Sequence, residues 1–208
     1  MSTIANVITD IRVEVQDSDS TRFSSDTTHI LPLVKQAIRR ANRVIQRNHL
    51  QFGKKKAALT TVYGQAHVDL PTDFDVELSL WNTDSRKKLT LKTEDEYEEM
   101  SSSATFDSWY LDVENSRILL KGTPGSAVNL VLYYFPVIDP SAYDTSTTMP
   151  WGGRLDDIVA RYVSLRLQNI DEMNLTVDTQ LLADLETQII ESYRPLNPTM
   201  IERAGWVD

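Results

Sequence analysis

The chain has 208 residues, 41% hydrophobic and 25% charged, enough to bury a core as one large domain or two small ones. Cysteine is absent, which excludes disulfides, thiolate metal sites and cysteine nucleophiles. The net charge of −9 is unevenly spread: residues 28–56 hold eight Lys and Arg and no Asp or Glu, with two basic against five acidic residues before them and eleven against twenty-five after.

Ile4, Val7, Ile8, Ile11 and Val15 recur at helical spacing and predict a short amphipathic helix ending near Gln16. Asp10, Arg12 and Glu14 interrupt its apolar residues and no stretch of the chain approaches the ~20 apolar residues of a membrane span, so the chain reads as cytosolic at synthesis. In the polar DSDSTRFSSDTT that follows, Asp17-x-Asp19-x-Thr21 begins like a calcium loop. Arg22 stands where such a loop needs Gly and Thr28 where it needs Glu, so a turn and helix cap are expected instead.

From about Pro32 to His49 runs the strongest helical pattern, with Pro32 suited to a first turn whose N–H would be unpaired anyway. Ile30, Val34, Ala37, Ile38, Ala41 and Ile45 form one stripe. Lys35, Arg39, Arg43 and Arg47 step by four along the opposite face, with Arg40 beside them. Like charges at this spacing repel by ~0.2–0.5 kcal/mol a pair, so an all-basic ridge is mildly costly without an anionic partner. The whole ridge is therefore a candidate partner contact. A chain so polarised can associate head to tail, acidic surface on basic, and such contacts close into rings.

Between Ala57 and Phe135 the periodicity changes from 3.6 to 2. Runs at 59–63, 67–70, 76–81, 88–92, 109–113, 118–121 and 128–135 predict strands of a small antiparallel sandwich or barrel. Thr93 and Glu96 form a capping box opening one acidic helix over 94–100. After a Pro-, Ser- and Thr-rich linker over 136–150, helical spacing returns at Leu155–Ile170 and Val177–Tyr193, a pair expected to form an antiparallel hairpin with Asn174 and Thr176 at its turn. Residues 195–208 carry two prolines and no period, yet keep Met200, Ile201 and Trp206, apolar groups suited to anchoring in a partner. The predicted architecture is α+β: a helical bundle from both chain ends (1–56 and 136–194), an inserted β lobe (57–135) and an extended tail (195–208).

The catalytic inventory is thin. His29, His49 and His67 are widely separated, no nucleophile-elbow, Walker or zinc-helix pattern occurs, and Gly122-Thr-Pro-Gly125 lacks the lysine of a phosphate loop. The carboxylates of 94–99 and Asp156-Asp157 read as capping and solvated groups. Asn174-Leu175-Thr176 matches a glycosylation acceptor without a secretory context. Trp81, Trp109, Tyr110, Tyr133, Tyr134 and Phe135 could form a sugar- or base-stacking platform, but their strand neighbours favour packing. No enzyme, cofactor or metal is expected.

The order of parts, from LPLVKQAIRRANRVI through VYGQAHVDLPTDFDVELSLW and SRILLKGTPGSAVNLVLYYFP to MPWGGRLDDIVARYVSLRL, resembles adaptor proteins of tailed-bacteriophage head–tail connectors. Gly64, Gln65, Leu70 and Pro71 match that family's turn into its β insert, and Leu155, Asp156, Asp157, Ile158, Val159 and Tyr162 approximate the motif opening a late helix. Trp151-Gly152-Gly153 departs from the usual sequence before it. The resemblance implies a structural protein of the virion, assembled in the host cytoplasm into a homo-oligomeric ring of about twelve copies. Such a ring docks beneath the portal protein, meets tail or further connector proteins, and passes genome DNA without sequence-specific binding or any membrane contact. By position in the chain it gives Met200, Ile201 and Trp206 to portal docking. A nucleic-acid-binding factor using the basic face and a carbohydrate-binding β module remain as alternatives.

Overall fold

A computed structural model describes residues 2–17, 20, 22–101, 106–169 and 175–193. These residues are α+β, with five α-helices and a seven-stranded sheet. They fall into two compact units, one made from residues 1–53 and 138–208 and the other from 54–137.

The first unit is helical. Helix α1 (Ile4–Glu14) buries Ile4, Val7, Ile8 and Ile11, the stripe its spacing predicts. Its first turn is tied down by residues 145–147: Ile4 N–H donates to Thr147 O at 2.9 Å and Ala5 N–H to Thr145 O at 2.9 Å. The Pro/Ser/Thr-rich linker is therefore ordered against the chain's own N-terminal residues. A π-helical turn, Asp26–Ile30 with Ser25 as its cap, leads into α2 (Leu31–Arg47). Pro32 sits in the first turn of α2, and Val34, Ala37, Ile38, Ala41 and Ile45 are fully buried. Helices α4 (Asp156–Asn169) and α5 (Leu175–Tyr193) follow, and α4 packs against α1, α2 and α5. The core of this unit thus needs both ends of the chain. Ile170, Asn174 and the tail with Met200, Ile201 and Trp206 lie outside the described residues.

The turn between α1 and α2 is held by a buried cation. Arg12, 9% exposed, donates to Asp17 Oδ2 at 2.8 Å, to Asp26 Oδ1 at 2.8 Å through Nε and to the Phe23 carbonyl at 2.7 Å. Asp17, 2% exposed, also accepts the backbone N–H groups of Arg22 and Phe23 at 2.8 and 2.9 Å. Its carboxylate is occupied by a guanidinium and by backbone, which agrees with a turn in place of a calcium loop.

The second unit holds β1 (Lys55–Thr60), β2 (His67–Asp69), β3 (Phe74–Asn82), β4 (Lys87–Leu91), helix α3 (Glu94–Glu99), β5 (Ser108–Asp112), β6 (Arg117–Leu120) and β7 (Asn129–Pro136). The strand order is β1-β7-β3-β4-β5-β6-β2, so the two edge strands are consecutive in the chain. A flat seven-stranded sheet would part its edges by ~29 Å at ~4.8 Å per strand. The seven residue steps from Thr60 to His67 span at most ~25 Å when fully extended, and a turn at Val62–Gln65 shortens them. The sheet must therefore curl, and it is nearly closed and barrel-like. Gly64 makes that turn possible, adopting φ +76° with its N–H on Pro124 O at 3.2 Å.

The expectation of a wholly antiparallel lobe is corrected at one place: β4 and β5 pair in parallel, Thr90 beside Ser108 and Leu91 beside Trp109. Parallel neighbours need a crossover of a dozen or more residues, and the segment 92–107 containing α3 supplies it. The first strand also begins earlier than its apolar run suggested, at Lys55, because pairing with Tyr134 and Tyr133 of β7 carries Lys55 and Lys56 into the sheet. Leu80, Trp109, Ile118, Leu120, Leu130 and Leu132 form the centre of the lobe's core.

Candidate assembly surface

The basic face of α2 follows from helix geometry. At ~100° per residue, Arg39, Arg43 and Arg47 fall within an arc of ~80° centred opposite the stripe of Val34, Ile38, Ala41 and Ile45. The structure exposes all three, and among the described residues none has an ion-pair partner.

The other two ridge residues differ. Lys35 is half-buried, and its Nζ donates to Ser141 O at 2.9 Å on the 3-10 turn Pro140–Ala142. Asp139 caps that turn, accepting the Ser141 N–H at 2.9 Å. The Ser141 hydrogen bonds, helped by the nearby charges of Arg39 and Lys35, hold the Asp139 carboxyl below the usual aspartate range. Lys35 is thereby engaged within its own unit. Arg40 is half-buried and has no ion pair among the described residues. The ridge therefore divides into an anchored end at Lys35 and a free face at Arg39, Arg43 and Arg47. Periodicity could not show this, because the anchor lies about a hundred residues further along; the local signal was Asp139-Pro140-Ser141, a capping sequence.

Acidic side chains concentrate on α3, whose six residues include Glu94, Asp95, Glu96, Glu98 and Glu99, all exposed. The capping box is present: Glu96 N–H donates to Thr93 Oγ1 at 3.4 Å and Thr93 N–H to Glu96 Oε2 at 3.1 Å. These contacts with Thr93, first the backbone one, hold the Glu96 carboxyl below its ordinary value. Tyr97 points the other way, its hydroxyl donating to Leu120 O at 3.1 Å and Lys121 Nζ lying 4.4 Å from its ring centroid.

The groups considered for chemistry are not gathered. His29 lies in the π turn before α2, His49 just after α2, and His67 in β2 opposite Leu119. Among the described residues no group of three or more His, Asp or Glu could hold a metal ion. Trp109 is 1% exposed, and Tyr134 and Phe135 are buried, so these three serve packing and offer no stacking platform. No helix among the described residues is long and apolar enough to cross a membrane.

No curated protein matches the sequence. The model of the SU10 adaptor protein family matches residues 2–197, nearly the whole chain and both of its units. The arrangement of parts that resembles a phage head–tail adaptor thus coincides with a match of that extent, and the chain belongs to the SU10 adaptor protein family.

Proposed function

We propose that the chain is a structural adaptor of a phage head–tail connector, forming a ring beneath the portal that extends the DNA channel and offers a platform for tail attachment. Membership of the adaptor family supports the class of protein. The observation that carries the assembly role is the exposed face of Arg39, Arg43 and Arg47, without ion pairs among the described residues, on a chain of net charge −9. Such a face is suited to an acidic protein surface, and a channel that gripped DNA would impede its passage. The work is assembly, without catalysis. Met200, Ile201 and Trp206 are assigned to the portal, where burying a large apolar side chain gains ~1.5–3 kcal/mol.

Electron microscopy of the purified chain, alone and mixed with the portal protein of the same phage, tests the reading. Closed rings coaxial with the portal are expected, and truncation after Tyr193 should weaken portal binding about tenfold or more. A monomer that binds duplex DNA with a steep salt dependence, and ignores the portal, would move the assignment to a nucleic-acid-binding factor.

A further inference from the structure

We propose that the free face of α2, Arg39, Arg43 and Arg47, docks on α3 of a second copy of this chain, against Asp95, Glu98 and Glu99. The inference deepens the ring reading above and rests on it.

Within α3 the acidic residues are not equivalent. Glu96 is held by the capping box and lies 3.7 Å from Lys92 Nζ, and the charge of Glu94, after burial, helps push the Tyr110 phenol up. Tyr97 takes the inward side. The opposite side presents Asp95, Glu98 and Glu99 within an arc of ~100°, exposed and without an ion pair among the described residues. Glu98 and Glu99 stand at the C-terminal end of α3, where the helix dipole disfavours anions, and no basic residue occupies that last turn. Capping explains Glu94 to Glu96 but leaves Glu98 and Glu99 unaccounted for.

The two faces complement each other in number and sign, the basic one running ~12 Å along α2 and the acidic one ~6 Å along α3. Each sets three like charges at helical intervals, so each repels itself in the isolated subunit and is relieved by the other. Because they are different patches on one chain, the contact is heterologous: every copy offers a basic donor face and an acidic acceptor face. Repetition then propagates until rotation closes the ring. A second copy is favoured over nucleic acid because the anionic complement is carried by the same chain at equal concentration.

Two charge-reversed variants test the contact, one Arg39→Glu/Arg43→Glu/Arg47→Glu and the other Asp95→Lys/Glu98→Lys/Glu99→Lys, each shown to be folded by circular dichroism. Sedimentation at low salt should find wild-type chain associating, each variant alone associating about tenfold more weakly or worse, and a one-to-one mixture recovering association. In the mixture the reversed faces meet each other and the native faces meet each other, so rescue requires direct contact. Wild-type chain that stays monomeric at its highest soluble concentration, either variant associating normally, or folded variants whose mixture shows no rescue would each overturn the proposal. Capture of wild-type chain by the portal is read separately: portal binding without rescue leaves the adaptor reading standing and removes only the α2–α3 contact.

Discussion

Burying Arg12 against Asp17 strips both ions of water, and the geometry compensates by giving the guanidinium two carboxylates and two backbone carbonyls. Removing one partner leaves the other charged and dry. Arg12→Ala is expected to cost about 3–5 kcal/mol in urea unfolding, whereas Asp26→Asn, at a partner 43% exposed, should cost under about 1 kcal/mol. Equal losses would show that the network is not led by the Arg12–Asp17 pair. In the lobe, Asp73 accepts Lys55 Nζ at 2.6 Å and the Tyr134 hydroxyl at 2.7 Å. The Lys55 hydrogen bond, followed by that of Tyr134, holds the Asp73 carboxyl below its ordinary 3.8, while burial first and Asp73 second push the Tyr134 phenol from 10.0 up to about 12. The lowered carboxyl contributes stability that is present above 3.8 and lost as the pH falls through its folded value. The raised phenol contributes stability that is present below 10.0 and lost as the pH climbs towards about 12. Tyr134→Phe should flatten the alkaline limb of the pH–stability profile and, by removing the hydrogen bond to the Asp73 carboxylate, lower neutral stability by about 1–3 kcal/mol. An unchanged alkaline limb would show that other groups set it.

At the scale of elements, most of the fold was legible because each element announces its own period. The stripe of α2, the Thr93–Glu96 capping box and the alternating runs of the lobe depend on neighbours within a few residues, and six of the seven strands form where those runs lie, the first falling earlier at Lys55–Thr60. What was not legible depends on distant partners. The parallel β4–β5 pair is decided by which strand α3 leaves adjacent, and the anchoring of Lys35 is decided by Ser141. The ridge of the candidate site was readable as a whole, but not which arginines remain free. Because Arg39 and Arg43 are exposed and unpaired among the described residues, Arg39→Glu with Arg43→Glu should shift monomer stability by no more than about 1 kcal/mol while abolishing assembly. A thermal unfolding midpoint that falls steeply instead would mean that the face is used within the subunit.

For the molecule as a whole, each of the two compact units buries apolar residues of its own. Ile4, Ile11, Val34, Ile38, Val163 and Ile189 are buried in the helical unit, and Leu80, Trp109, Ile118, Leu120 and Leu132 in the lobe. Helix α4 packs on α1, so the helical core joins residues from before and after the lobe, and contacts made early in the chain wait for those made late. The lobe is locally more complete, since all seven strands and the crossover helix lie within 54–137 and its two edge strands follow one another. We therefore expect the lobe to be a separable insert. Replacing residues 54–137 by a short Gly/Ser linker should leave a helical protein that unfolds cooperatively, because every residue of the helical unit is retained. The isolated lobe should show a β spectrum but lower stability, since a domain of this size buries a smaller fraction of its surface. Circular dichroism and urea unfolding of the excised protein decide the matter: a random-coil spectrum or a non-cooperative transition would mean that the helices need the lobe to fold, and the chain would then have to be treated as one domain.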